Sequence, residues 1–127
     1  MREARRVVGA DALIGVSTHN LEQLRRAVLE GANYVGVGPT FASTTKDFAE
    51  LAGLEFVRAA SAETTLPAFV LGGVTAANVE QVMAAGGRRV AVSAAVARAA
   101  DPRAAAAALR QALTPASGLP APRDASC

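Results

Sequence analysis

The sequence predicts an α/β fold on a parallel sheet, and three observations predict it. Short apolar runs alternate with helical patterns four times, the runs are nearly continuous, and each closes on glycine, serine or another small residue. Continuous apolar runs suit strands covered on both faces, and strand–helix alternation implies right-handed crossovers between parallel strands. Four such units can form a small open sheet or one half of an eight-stranded barrel. Periodicity alone does not choose between the two.

Each element follows from local signals. Arg2 to Val8 reads as a helix that stops at Gly9. Leu13-Ile14-Gly15-Val16-Ser17 is the first strand. Asn20 then offers an N-cap with Gln23 three residues on, a capping-box arrangement. Leu21, Leu24 and Val28 share one face of the following helix, and Gly31 ends it. Tyr34 to Gly38 is the second strand, followed by a polar loop from Pro39 to about Ala49 and a helix over Leu51 to Ala62. Ala68-Phe69-Val70-Leu71 is the third strand, broken by Gly72-Gly73; Thr75 is placed to cap a helix carrying Val79, Val82 and Met83 up to Gly86. Val90-Ala91-Val92 ends at Ser93, and Asp101-Pro102 opens a last helix in the cap and first-turn positions each residue favours. Residues 1–113 therefore form the folded unit, and 114–127, rich in Pro, Ala and Ser, is expected to be a disordered tail.

Composition narrows the function classes. The chain has 127 residues, enough for one modest domain, with 51% apolar and 19% charged residues. Much of the apolar share is alanine, so the core is broad in count and thin in volume. The net charge is +2, the basic residues are dispersed, and only four Phe and one Tyr accompany them. A nucleic-acid surface needs a basic stripe with stacking aromatics, so no nucleic-acid partner is expected. The single cysteine is Cys127, which leaves no internal disulfide and no cysteine metal site. No apolar run approaches the roughly 20 residues of a membrane span, and the charged N-terminus is unlike a signal peptide. A cytoplasmic protein without a membrane partner is expected.

The chemistry is predicted at the carboxyl ends of the strands, where parallel α/β folds bind ligands. Ser17, Gly38-Pro39, Gly72-Gly73 and Ser93-Ala94 stand there. Small residues let backbone N–H groups approach an anion, although glycines also serve simply to end strands. The stretch Pro39-Thr40-Phe41-Ala42-Ser43-Thr44-Thr45-Lys46 adds three consecutive hydroxyls and a lysine. Hydroxyls can donate to phosphate oxygens and lysine can neutralise a diphosphate, while a solvated Ser/Thr loop is the plain alternative. His19 is read as a capping or packing residue rather than a catalyst, and Asp47 and Glu50 as exposed loop charges.

Four blocks in order, Gly15-Val16-Ser17-Thr18-His19, Gly36-Val37-Gly38-Pro39-Thr40-Phe41, Thr44-Thr45-Lys46 and Gly72-Gly73-Val74, resemble the thiamine phosphate synthase family. The likeness runs from about Arg2 to Leu113. The related thiazole tautomerase TenI shares the fold and is a weaker match, because the Gly-Pro-x-Phe and Thr-Lys loop looks like the synthase. The resemblance implies the C-terminal (βα)4 half of a TIM (βα)8 barrel with the N-terminal half missing. It also implies transfer of an aminopyrimidine methyl group from its diphosphate to thiazole phosphate, giving thiamine phosphate and pyrophosphate. By that likeness Ser17 and Lys46 hold the pyrimidine diphosphate, and Lys46 is the catalytic residue that eases charge on the leaving group. Ser43, Thr44 and Thr45 contact the thiazole phosphate, and Gly73, Ser93 and Ala94 complete its cradle.

Two departures qualify this transfer. Where the family ends its last strand with a Val-Ser pair, this chain has Ser93-Ala94, so the hydroxyl moves by one position. The family's Mg²⁺ ligands also lie in its first four strands, and Asp11, Asp47 and Asp101 are not substitutes for them. Mg²⁺ is thus implied as a cofactor, with no metal ligand expected in this chain. A half-barrel alone has two open sheet edges and an exposed inner face, both prone to aggregation. A fragment of a longer gene, a half that pairs with another half, or a decayed remnant each accounts for this, and the fragment is the reading adopted. Its partners are small phosphorylated molecules and a missing N-terminal half or a second copy. The alternatives to the transferase are a non-catalytic phosphate-binding half-barrel and a TenI-like tautomerase relative, the latter disfavoured by Thr45-Lys46.

Overall fold

Four strands, β1 (Gly15–Thr18), β2 (Tyr34–Val37), β3 (Ala68–Leu71) and β4 (Arg89–Ala91), lie side by side in sequence order and pair in parallel throughout. The structure, a computed structural model, describes residues 1–42 and 50–114. Helices α1 (Arg2–Val8), α2 (Leu21–Leu29), α3 (Gly53–Glu63), α4 (Val79–Ala84), α5 (Ala94–Ala97) and α6 (Pro102–Leu113) complete the described chain. Consecutive strands joined by right-handed crossovers send every connecting helix to the same side of a sheet. Accordingly α2 packs on α3, α3 on α4, and α4 on α6.

The register shows which side is covered. Val35, Val37 and Val70 are essentially inaccessible, as is Thr18, and they face the helices. Their neighbours along the strands, Gly15, Ser17, Tyr34, Phe69 and Leu71, are half-buried or exposed. The continuous apolar runs anticipated strands covered on both faces; one face of this sheet is open. Tyr34 and Phe69 meet edge to face on it with ring centroids 5.7 Å apart.

Beneath the helices the core consists of seven valines, four alanines, Leu24, Leu109 and Phe56. Each buried valine contributes about 1.5–3 kcal/mol, and the alanines chiefly allow close approach. Helix α2 buries Leu24 and Ala27, whereas Val28, placed by sequence on the buried stripe, is 43% exposed. None of the residues of α1 is buried. It is tied down by polar contacts instead: the Arg5 guanidinium donates to the carbonyls of Gly9 and Ala12 and to Asn33 Oδ1 (2.8 Å).

Caps decide where the helices begin. Asn20 Oδ1 accepts from the Gln23 amide at 2.9 Å, while Gln23 Oε1 returns to the amide of His19 rather than that of Asn20. Asp101 Oδ1 accepts from the Ala104 amide at 3.0 Å ahead of Pro102. Three expectations need correction. Helix α3 starts at Gly53, two residues late, because the Ala52 and Gly53 amides donate to the Pro39 carbonyl. Thr75 does not cap α4; Asn78 stands at the N-cap position, and its Oδ1 accepts from the Thr75 amide. The short α5 has no strong signal in Ala94-Ala95-Val96-Ala97 and was not anticipated. The expected tail falls, after Thr114, outside the described residues.

Candidate functional site

The carboxyl ends of all four strands lie along one edge of the sheet, because the strands are parallel and in register. Ser17 is exposed on the open face opposite Gly36. The next residue, Thr18, is buried and donates its hydroxyl to the Gly36 carbonyl at 2.7 Å. Leu71 pairs with Ala91, so Gly73 and Ser93 each stand two residues past that pair. Gly73 and Ser93-Ala94 therefore stand together past the strand ends, whereas Ser17 lies within β1 at the level of Gly36 and Phe69, four residues short of Gly73 in register. Ser43, Thr44, Thr45 and Lys46 lie outside the described residues.

The loop leaving β2 is laid against the turn that follows β3. The amide and the hydroxyl of buried Thr40 both donate to the Leu71 carbonyl at 3.0 Å, and the Phe41 amide donates to the Gly72 carbonyl at 2.9 Å. Glycine is required at the turn for two reasons. Gly72 and Gly73 have φ of 97° and 64°, the left-handed region that side chains resist. A Cβ on Gly73 would also stand 2.5 Å from the Ala42 carbonyl oxygen. The turn is pinned from the far side by Asn78, whose Nδ2 donates to the Gly73 carbonyl at 2.9 Å. Neither Thr40 nor Asn78 stood out in the sequence as a site residue; Asn78 carried the signal of an Asn close behind a glycine turn.

Ser93 is exposed and precedes α5, with its carbonyl accepting from the Val96 and Ala97 amides. Its hydroxyl makes no cap hydrogen bond to that helix. A cleft of about 740 Å³ opens near the same edge, lined by His19, Leu21, Pro39, Leu51 and Phe56 among others. Small residues, left-handed glycines and a turn into a helix let backbone N–H groups converge on an anion. Among the described residues no group of three or more His, Cys, Asp or Glu is placed to hold a metal ion. Those residues do not fit the Mg²⁺ that the resemblance implies. On the helix side, the hydrogen bond from Arg25 holds the Glu63 carboxyl below its ordinary range, and the one from Arg26 does the same for Glu30.

Such an edge defines a parallel βα protein whose strands end in small residues and left-handed glycine turns. The chain belongs to the thiamine monophosphate synthase family, whose pattern matches residues 1–96. It is 44% identical over 104 residues to a thiamine-phosphate synthase of Thermosynechococcus vestitus, a match that covers 82% of this chain and 30% of that protein. It is 50% identical over 98 residues to the Rhodopirellula baltica protein of the same name, covering 73% of this chain and 26% of that one. The chain thus spans about a third or less of the length of these relatives. Among solved structures it resembles a thiamine phosphate pyrophosphorylase from Pyrococcus furiosus, with a TM-score of 0.79 and 31% identity over 87% of this chain and 52% of that one. A KDPGal structure, at 24% identity and a TM-score of 0.63 over 85% of this chain and 51% of that one, shares the fold. No helix among the described residues is long and apolar enough to cross a membrane.

Proposed function

We propose that this chain is the second half of a thiamine phosphate synthase barrel and supplies the phosphate-binding edge of that enzyme's site. The observation that carries the reading is the family match through residues 1–96, which takes in every strand-end turn gathered at that edge. Residues 1–113 are then the (βα)4 half of a TIM (βα)8 barrel, and 114–127 form a tail. An N-terminal half, or a second copy in its place, would cover the open face and pair with the free sides of β1 and β4. A cytoplasmic location goes with this reading.

The complete enzyme would act on two small phosphorylated substrates. The bond from the pyrimidine methyl carbon to the diphosphate breaks, the diphosphate leaves with that electron pair, and the thiazole nitrogen supplies the pair for the new carbon–nitrogen bond. Ser17 and Lys46 hold the pyrimidine diphosphate, and Lys46 offsets the charge that grows on the leaving group. Ser43, Thr44 and Thr45 contact the thiazole phosphate, and Gly73 with Ser93-Ala94 completes its cradle. Exposure of Ser17 on the open face and the left-handed geometry of Gly73 support these roles. The hydroxyl displaced to Ser93 leaves the backbone donors of the turn to do the binding. No step is assigned to Mg²⁺ on residues of this chain.

Two measurements test the reading. Thiamine phosphate formation is expected from a polypeptide carrying the upstream half and not from this chain alone. Product from a discrete oligomer of this chain would refute the fragment reading, because the metal site would then be built from this chain's own residues. In the complete polypeptide, Lys46→Ala is expected to lower kcat about 100-fold or more, the scale of one lost charge-stabilising group, while thiazole phosphate binding holds. Near-normal turnover would refute the role of Lys46.

A further inference from the structure

Beyond the last registered pair of β1 and β2, Thr18 and Val37, two contacts continue to join the two segments. The Gly38 amide donates to the Thr18 carbonyl at 3.3 Å, and His19 Nδ1 lies 2.6 Å from the Gly38 carbonyl oxygen. A carbonyl oxygen only accepts, so Nδ1 carries the proton. The Gly38 carbonyl is also the point from which the loop sets off. Two residues on, Thr40 grips the Leu71 carbonyl; Phe41 grips that of Gly72; and the Ala42 oxygen sits against Gly73. Hydrogen bonds at Gly38, Thr40 and Phe41, joined through that backbone, therefore lead from the imidazole at the end of β1 to the Gly72 carbonyl in the turn after β3, with Ala42 packed next to Gly73.

The geometry points to His19 as a positioning residue that, as its Nδ1–H tautomer, fixes the Gly38–Ala42 segment and through it the Gly72-Gly73 turn that receives phosphate. This rests on the reading of that turn as a phosphate site. It assigns His19 no contact with the reacting atoms. Its ring does more than fill space, because the effect depends on a donor at one position. Asparagine keeps a donor on the same Cγ that bears Nδ1, whereas glutamine moves its donor one bond outward.

His19 is the only histidine in the chain, so its ring nitrogens give one unambiguous spin system. The test is a ¹⁵N–¹H spectrum of the full chain with the imidazole neutral, followed by titration with inorganic phosphate read at the Gly73 amide. The expected result is the Nδ1–H tautomer and a saturable Gly73 shift. His19→Asn should retain phosphate affinity, and His19→Ala and His19→Gln should each weaken it about five-fold, the scale of one neutral hydrogen bond. If His19→Ala unfolds, the comparison of His19→Asn with His19→Gln decides, and equal affinities overturn the proposal. An Nε2–H tautomer in a chain that still binds phosphate overturns the role of His19 alone. A Nδ1–H tautomer with no phosphate response overturns both this role and the reading of the turn.

Discussion

Replacing Gly73 with alanine separates the two reasons for glycine after β3. The first cost is conformational: at φ 64° a Cβ carries about 1–2 kcal/mol of strain. The second is steric. The new Cβ would lie 2.5 Å from the Ala42 carbonyl oxygen and 3.0 Å from Phe41 Cβ, so the loop backbone must retreat. Retreat puts the Phe41-to-Gly72 hydrogen bond at risk, worth about 1 kcal/mol, and forced overpacking adds about 1–3 kcal/mol. The sum is about 3–6 kcal/mol, a large share of a typical domain's 5–15 kcal/mol. Gly31→Ala is the control, since Gly31 has φ 83° and a methyl group added there would meet nothing within 4 Å, which leaves strain alone. Urea unfolding followed by circular dichroism measures both variants against the parent chain. Gly73→Ala should lower the midpoint about two to three times as far as Gly31→Ala, with little change in slope. Equal losses in the two variants would mean that the loop does not press on the turn, and the coupling between β2 and β3 would fall with it.

Two further outcomes test the frame around the site. Asp101→Ala removes the acceptor for the Ala104 amide at the start of α6 and should cost about 1 kcal/mol by urea unfolding; an unchanged midpoint would show that Pro102 alone sets that helix start. Glu63→Gln tests the exposed Arg25–Glu63 pair. The side-chain hydrogen bond from Arg25 holds the Glu63 carboxyl below its ordinary 4.5, so its contribution is present above that value and lost as pH falls through the lowered one. The melting-temperature gap between parent and Glu63→Gln should therefore be present at neutral pH and close in acid, and a gap that persists in strong acid would contradict the pair's role.

Much of this chain was determined by its sequence. Local rules placed α1, the Asn20 and Asp101 caps and all four strands, because a capping side chain or an apolar run needs only its near neighbours to act. The order of the units likewise fixed a parallel sheet. Residues whose partners are distant in sequence were not legible in this way. Asn78, in the place expected of Thr75, is fixed by what it holds across the glycine turn, and α3 starts late because two of its amides turn to Pro39. The open face carrying Ser17, Tyr34 and Phe69 is likewise a tertiary outcome: an apolar run records that strands are buried, not on which side the helices settle. The glycines announced a turn from sequence alone. Only the folded chain showed why Gly73 tolerates no side chain, since the carbonyl that would meet its Cβ belongs to Ala42, thirty-one residues earlier and brought there by the pairing of β2 with β3.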